Sequence, residues 1–175
     1  MVSYGEIGAI PVPDDGPAAV ARLYRRHWLG LIRLAVLIVD DRQSAEDVVQ
    51  EAFTELYRRW PLNDPDKALP YLRAAVLNRS RSVLRRRRVA RLYTPPADRP
   101  SGSAESAAEL HEDRREVQRA LQSLPTRTRE VLVLRYYFDL AHAEIAQTLG
   151  ISESSARATA SRGIAILTQK LKELR

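Results

Sequence analysis

Residues 141–163 read AHAEIAQTLGISESSARATASRG, and this stretch predicts the fold of the C-terminal part of the chain. Ala146 is small and is followed four residues later by Gly150, which favours two closely approaching helices and a left-handed helix end. Ser152 then offers a hydroxyl cap for the next helix. This is the spacing of a helix-turn-helix, whose second helix enters the major groove of DNA. An ordinary helical hairpin without a role in DNA binding is the alternative.

The second helix of this pair is expected to expose small, polar and basic side chains to DNA. Arginines on such a helix donate to guanine edges or to phosphates, and the sequence does not distinguish between the two. The predicted duplex-contacting residues are Ser154, Ser155, Arg157, Ala158, Ser161 and Arg162.

Apolar residues recur at three- and four-residue intervals through the rest of the chain, and this period predicts helices. The predicted segments are 17–39, a helix capped by Ser44 and reaching Trp60, 71–91, 110–121, and a helix capped by Thr126. Tyr57 and Val117 are placed on inward faces by their spacing. Alternation typical of strands is absent from the sequence, so the predicted class is all-α.

A proline-rich stretch divides the predicted helices into two groups. Residues 93–106 read YTPPADRPSGSAES, with three prolines and a glycine and no apolar period, which is typical of a flexible linker. We therefore predict two small helical domains, 17–92 and 107–175. Residues 1–16 form a tail for which disorder is expected.

The composition narrows the possible functions. The 175 residues include no cysteine, which excludes disulfides and thiolate metal sites. The longest apolar stretch is too short to span a bilayer and the N-terminus lacks the features of a secretion signal, so we expect a cytoplasmic protein with no membrane partner. The formal net charge is +6, and residues 71–91 hold eight arginines and no acid. Nucleic acid is a plausible partner, although a general compositional bias toward arginine is the alternative.

Tyr71 and Asn78 begin this basic helix and lie on one face, because seven residues make two helical turns. Such a helix suits DNA that passes from single-stranded to duplex. Its aromatic ring can stack on a base, its amide can pair with a base edge, and its column of arginines can bind phosphates. The alternative is a solvated basic helix with Tyr71 in the core.

Three segments in this order resemble the bacterial sigma-70 family of RNA polymerase sigma factors, specifically its small extracytoplasmic-function (ECF) subgroup. SAEDVVQEAFTELYRRW (44–60) looks like the polymerase-binding helix of the family, and YLRAAVLNRSRSVLRRRR (71–88) looks like its −10-reading and promoter-melting helix. LQSLPTRTREVLVLRYYFDLAHAEIAQTLGISESSARATASRG (121–163) looks like its −35-reading domain. The resemblance implies region 2 in residues 17–92, region 4 in residues 107–175, and no catalytic site or cofactor.

The resemblance also implies partners and site residues. Core RNA polymerase would be bound through its β′ clamp helices and β flap, with promoter DNA in duplex and single-stranded form and a possible anti-sigma factor as further partners. The polar face toward the clamp helices would consist of Asp47, Gln50, Glu51 and Glu55. The −10 element would be bound by Asn63, Asp64, Tyr71, Asn78, Arg81, Ser82, Arg85 and Arg86, with Asn78 beside a flipped base. The protein would act in the cytoplasm, at the nucleoid.

Some positions depart from the pattern of the family. Tyr71 stands where tryptophan is usual and Ser82 where aspartate is frequent, and neither change is expected to prevent promoter opening. Four recognition-helix positions differ from the usual valine, serine, arginine and leucine: Ala156, Ala158, Thr159 and Ala160. The −35 sequence therefore cannot be transferred from relatives.

Two other classes of function are weaker alternatives. A dimeric helix-turn-helix regulator would need a self-complementary interface, and the first half shows no coiled-coil seam. A regulator would also have no use for Asn78 beside a loop and an arginine column. An enzyme finds little support, because His27, His111 and His142 are isolated and no phosphate-binding GxxxxGK[ST] occurs.

Overall fold

The structure is a computed structural model that describes residues 16–62, 64–93 and 108–173. These ranges hold seven α-helices: α1 Gly16–Val39, α2 Arg42–Arg59, α3 Ala68–Tyr93, α4 Ala108–Gln122, α5 Thr126–Leu132, α6 His142–Leu149 and α7 Glu153–Glu173. A short 3-10 turn, Pro65–Lys67, precedes α3, and a π-helical stretch, Val133–Tyr137, follows α5. The described residues contain no strand, so the predicted all-α class is confirmed.

Some of the predicted features lie in residues that the structure does not describe. The tail apart from Gly16, the linker apart from Tyr93, and Asn63 of the predicted −10 loop all lie outside the described residues. None of the described helices is long and apolar enough to cross a membrane.

Helices α1, α2 and α3 pack against one another around an apolar core. Leu34, Ile38, Leu56 and Leu72 are fully buried at this centre, as the helical period predicted. The prediction that Tyr57 faces inward is wrong, because this residue lies at the edge of the apolar face of α2 and is 53% exposed.

The corner between α1 and α2 is built by two aspartates. Asp40 adopts a left-handed conformation with φ 65° and ends α1. Asp41 caps α2, since its Oδ1 accepts from the backbone N–H of Ser44 at 2.8 Å. The predicted Ser44 cap is therefore wrong: α2 begins at Arg42, three residues earlier than a cap at Ser44 would start it, and Ser44 lies in its first turn. Burial alone would raise the pKa of Asp41, but the Ser44 N–H and the Arg87 guanidinium outweigh burial and lower it.

Helices α4 to α7 form the second half. The predicted Thr126 cap is wrong, because Thr126 is the first helical residue and the preceding Pro125 makes no side-chain cap bond. The turn into α5 is held instead by the buried Arg129, which donates to the carbonyl oxygens of Leu121 and Leu124 at 2.9 and 3.2 Å. Val117 was expected to face inward and is 40% exposed. The other predicted apolar residues of this part are buried: Ala120, Leu121, Val131, Leu132 and Leu134.

The helix-turn-helix prediction is confirmed as a local structure. Gly150 ends α6 with φ 64° and ψ 42°, and its N–H donates to the carbonyl oxygen of Ala146. The N–H of Ile151 reaches the same carbonyl at 3.0 Å. Ser152 caps α7, because its Oγ accepts from the backbone N–H of Ser155 at 3.1 Å.

Candidate nucleic-acid interface

Helix α7 presents its predicted DNA-contacting residues to solvent. All six of them are exposed: Ser154, Ser155, Arg157, Ala158, Ser161 and Arg162. Two other residues of the helix, Ala156 and Ala160, are buried against the rest of the second half. Arg157 Nη2 donates to Glu153 Oε1 at 2.9 Å, an exposed pair of the kind that contributes little to stability. This guanidinium is available to exchange its partner for a base edge or a phosphate.

Asn78 is exposed on α3, where the basic helix was predicted to read DNA. Its Oδ1 accepts from Arg81 Nη2, and its backbone oxygen accepts from Ser82 Oγ at 3.2 Å. Arg81 Nε lies 3.5 Å from Oε1 of Glu130 on α5. The predicted −10 residues Asn78, Arg81 and Ser82 therefore form one connected group.

Tyr71 has partners inside the protein. Its ring is half-buried against the core, and the guanidinium carbon of Arg59 lies 5.7 Å from the ring centroid. Burial, and next the neighbouring Glu55 carboxylate, raise the pKa of its phenol. The predicted stacking of Tyr71 on a base stays a prediction, and only part of the ring is accessible for it.

The arginine run 85–88 does not act as one group. Arg85 and Arg86 are exposed, as a contact with duplex DNA requires. Arg87 turns inward, donates to the carbonyl oxygen of Val39 at 2.7 Å and pairs with the Asp41 carboxylate. It also reaches Ser44 Oγ at 2.5 Å. Arg87 therefore fastens α3 to the α1–α2 corner and differs in role from its neighbours.

Arg87→Ala is expected to lower the free energy of unfolding by about 2 kcal/mol, because it removes a charge-assisted bond and leaves a helix-end carbonyl without its partner. Arg88→Ala is the matched control, since Arg88 is exposed in the same run. Urea denaturation followed by circular dichroism measures both. Equal unfolding midpoints for the two variants would contradict the role assigned to Arg87.

The loop before α3 contributes one described member of the predicted −10 site. Asp64 Oδ1 accepts from the backbone N–H of Asp66 at 3.1 Å and caps the 3-10 turn. The carboxylate of Asp64 also lies 3.5 Å from Lys67 Nζ. Asp64 is thus a structural residue of this loop, and its predicted contact with DNA stays a prediction.

The polar face of α2 adjoins the basic helix α3, because Asp47 and Glu51 line one surface groove together with Arg85 and Arg86. Asp47, Gln50 and Glu51 are exposed, whereas Glu55 is half-buried and accepts from Arg79. The hydrogen bond from Arg79 is the main cause of the lowered pKa of Glu55. Three of the four predicted polymerase-contacting residues are therefore exposed, and the fourth fastens α2 to α3.

Two charged residues of α5 are buried and were not predicted from the sequence. Arg129 is 5% exposed, and Glu130 is fully buried. Burial raises the pKa of the Glu130 carboxyl, while Arg81, Arg127 and Arg129 oppose that shift. The only signal in the sequence was the placement of RE beside the apolar run VLVL.

Two segments of the chain match families of known proteins. Residues 23–89 match Sigma-70 region 2, and residues 114–167 match Sigma-70, region 4. The first match includes most of α3 and the second includes the helix-turn-helix, and they occur in the order that the sequence predicted.

Curated relatives cover most of the chain. The RNA polymerase sigma-E factor of Streptomyces coelicolor is 31% identical over 142 residues, which are 81% of this chain and 79% of the relative. The RNA polymerase sigma factor CarQ of Myxococcus xanthus is 30% identical over 165 residues, which are 92% of this chain and 94% of the relative.

Solved structures share the fold. CnrH in complex with the cytosolic domain of CnrY is 26% identical, with a TM-score of 0.67 over 90% of this chain and 95% of that one. The sigma factor RpoE in complex with the anti-sigma factor NepR from Bartonella quintana is 19% identical, with a TM-score of 0.70 over 89% of this chain and 98% of that one.

Proposed function

This chain belongs to the ECF group of the sigma-70 family, whose role is in transcription initiation, and from that premise we propose that it binds core RNA polymerase and reads two promoter elements. Region 2, within residues 17–92, would read the −10 element and help to melt it, and region 4, within residues 107–175, would read the −35 element. The protein would have no catalytic site of its own and would act at the nucleoid.

A second exposed surface, on α3, supports a sigma-factor role over a general DNA-binding role. A duplex-binding regulator needs only the exposed face of α7, yet α3 exposes Asn78, Arg85 and Arg86 as a second surface suited to nucleic acid. Two such surfaces on one chain support the reading of two promoter elements.

The proposed partners follow from surface chemistry. The exposed acidic residues Asp47 and Glu51 suit a basic surface of the polymerase, for which we propose the β′ clamp helices, with region 4 against the β flap. Promoter DNA is the second partner, as duplex at α7 and as melted strand at Asn78. An anti-sigma factor is the third proposed partner, since the RpoE structure was solved with one.

Transcription in vitro tests the proposal. The purified chain is added to core RNA polymerase from Streptomyces coelicolor on fragmented genomic DNA, and the start sites are mapped. We expect defined starts that share two spaced upstream elements. A chain that binds duplex DNA, does not bind core and produces no transcripts would contradict the proposal and favour a dimeric regulator instead.

A further inference from the structure

An apolar groove of about 760 Å³ lies where α1 meets the second half of the chain. Arg33 and Leu37 of α1 line it, together with aliphatic and aromatic side chains of the second half. Four of these are 36–60% exposed: Val117, Tyr136, Tyr137 and Ile164. Exposed apolar side chains gathered on one concave surface mark a place where another segment of protein binds. None of the residues proposed above to contact DNA or polymerase lines this groove.

A basic stripe on the solvent face of α1 leads to the groove. The stripe consists of Arg22, Arg26, Leu29 and Arg33, which recur every three or four residues and are all exposed, Leu29 by 65%. Helix α1 itself contains no acidic residue, so the stripe is cationic. Because Arg33 also lines the groove, the two form one continuous surface that is basic near the start of α1 and apolar toward its end.

The tail that precedes α1 has the complementary composition. Residues 1–15 contain three acidic residues, Glu6, Asp14 and Asp15, and no arginine, lysine or histidine. Five bulky apolar residues come before the last two acids: Val2, Tyr4, Ile7, Ile10 and Val12. Acids next to α1 and apolar residues farther from it follow the same order as the basic stripe and the apolar groove.

Trp60 supplies a second observation at the point where the tail joins α1. A Cβ added to Gly16 would lie 2.5 Å from Cδ1 and 3.3 Å from Nε1 of the Trp60 indole, so α1 begins against the end of α2. The indole Nε1 is buried and has no hydrogen-bond partner among the described residues. Buried N–H groups in native proteins are paired as a rule. The peptide carbonyl groups directly before Gly16 are close enough to accept from it.

The tail is long enough to reach the groove from Gly16. Arg33 follows Gly16 by 17 residues, which is about 25 Å along a helix. An extended chain advances about 3.3 Å per residue, so the nine residues from Gly16 back to Ile7 span about 30 Å. Ile7 and the apolar residues before it therefore reach the groove, while Asp14 and Asp15 stay beside the first turns of α1.

We propose that residues 2–15 of this chain dock along α1, with their acids on the basic stripe and their apolar side chains from Val2 to Ile10 in the groove. This docking goes beyond the proposed function and does not depend on it. Docking removes exposed apolar surface of Tyr136, Tyr137 and Ile164 from water, and the opposite charges fix the direction of the tail. Another protein that binds the groove must displace the tail, which lowers its apparent affinity.

Distances between spin labels test the docking in the intact chain, because the sequence has no cysteine and introduced thiols are the only ones present. Nitroxides are attached at Ser3→Cys and Thr168→Cys, the second of which is exposed on α7 one turn from Ile164. Double electron–electron resonance should give a narrow distance below about 25 Å, the length of α1 from Gly16 to Arg33. An undocked tail would reach only about 20 Å from Gly16 on average and would give a broad distribution at longer distances.

Charge reversal on the stripe should undock the tail. Arg26→Glu with Arg33→Glu is expected to lower the ratio of docked to undocked chains about tenfold, because the acids of the tail would then meet like charges. Arg88→Glu with Arg91→Glu is the matched control, since it makes the same change in net charge at exposed positions of α3 and should leave the distance distribution unaltered.

The apolar part of the contact has its own pair of variants. Ile7→Ser with Ile10→Ser should also undock the tail, whereas Gly5→Ser with Gly8→Ser should not, because only the first pair removes side chains assigned to the groove. Labels at Gln43→Cys and Thr168→Cys, both exposed in the described residues, check that every variant keeps the same fold.

A broad distribution for the unaltered tail would overturn the proposal, and so would equal docking by the stripe variant and its α3 control. Loss of the short distance on mixing with excess unlabelled chain would overturn it as well, because the groove would then hold the tail of a second copy. Each of these results leaves the proposed role in transcription to its own test.

Discussion

Asp47→Arg combined with Gln50→Arg is expected to abolish the binding of this sigma factor to core RNA polymerase. Both side chains are exposed on the acidic face of α2, and arginines there would meet the basic surface proposed for the clamp helices. Like charges at an interface cost several kcal/mol, so we expect affinity to fall at least about a hundredfold. Glu51 is left in place because its carboxylate lies 3.4 Å from Arg79 and contributes to the contact between α2 and α3.

Gln169→Arg with Glu173→Arg is the control, because it changes the net charge by the same amount at the exposed end of α7. Fluorescence polarisation with labelled chain and core polymerase measures both variants, and circular dichroism checks that each remains folded. Near-normal affinity of the α2 variant, or equal losses in the two variants, would show that this face does not bind polymerase.

Local chemistry made the helix-turn-helix predictable from sequence. Gly150 occupies a left-handed position and Ser152 caps the following helix within a few residues of each other, so the relevant partners are close in sequence. The predicted caps at Ser44 and Thr126 are wrong because other side chains hold the starts of those two helices. The Asp41 carboxylate, three residues before Ser44, caps α2 by accepting from the backbone N–H of Ser44. The turn before Thr126 is held by the buried Arg129.

The burial of residues at the edge of an apolar helix face was less predictable. Tyr57 and Val117 follow the helical period, yet whether a residue at the edge of an apolar face is covered depends on the neighbouring helix. The period predicts the centre of the face, as the fully buried Leu56 shows. Burial at the edge depends on tertiary packing.

In the candidate site, too, the role of a side chain depends on tertiary contacts that the sequence does not show. Four successive arginines are indistinguishable in the sequence, and Arg87 differs only because Val39 and Asp41, more than forty residues earlier, lie beside it. The contact of Arg81 with Glu130 joins the segments that match region 2 and region 4, and it has no local signature in the sequence. The residue types in the sequence predicted which segments would bind nucleic acid. The tertiary structure was needed to separate the exposed side chains from those that hold helices together.

Asn78→Ala is expected to impair promoter opening by the polymerase holoenzyme. If Asn78 holds a flipped base, its loss removes hydrogen bonds that offset the few kcal/mol that flipping costs. The melted fraction should fall about tenfold at a promoter from the start-site mapping, as measured by permanganate reactivity of unpaired thymines. Binding to core should not change, because Asn78 lies on α3 and its hydrogen bonds are to Arg81 and Ser82 of the same helix rather than to α2.

The matched comparison is Arg85→Ala with Arg86→Ala, which alters exposed residues farther along the same helix. Loss of phosphate contacts should weaken duplex binding and reduce its salt dependence, while each bound complex opens normally. Separation of the two phenotypes would assign base capture to Asn78 and backbone contact to the arginines. If Asn78→Ala melted promoters as fully as wild type, the flipped base would have to be held by other residues of region 2, and Arg81 would become the first to test, because the same substitution releases its guanidinium from Asn78.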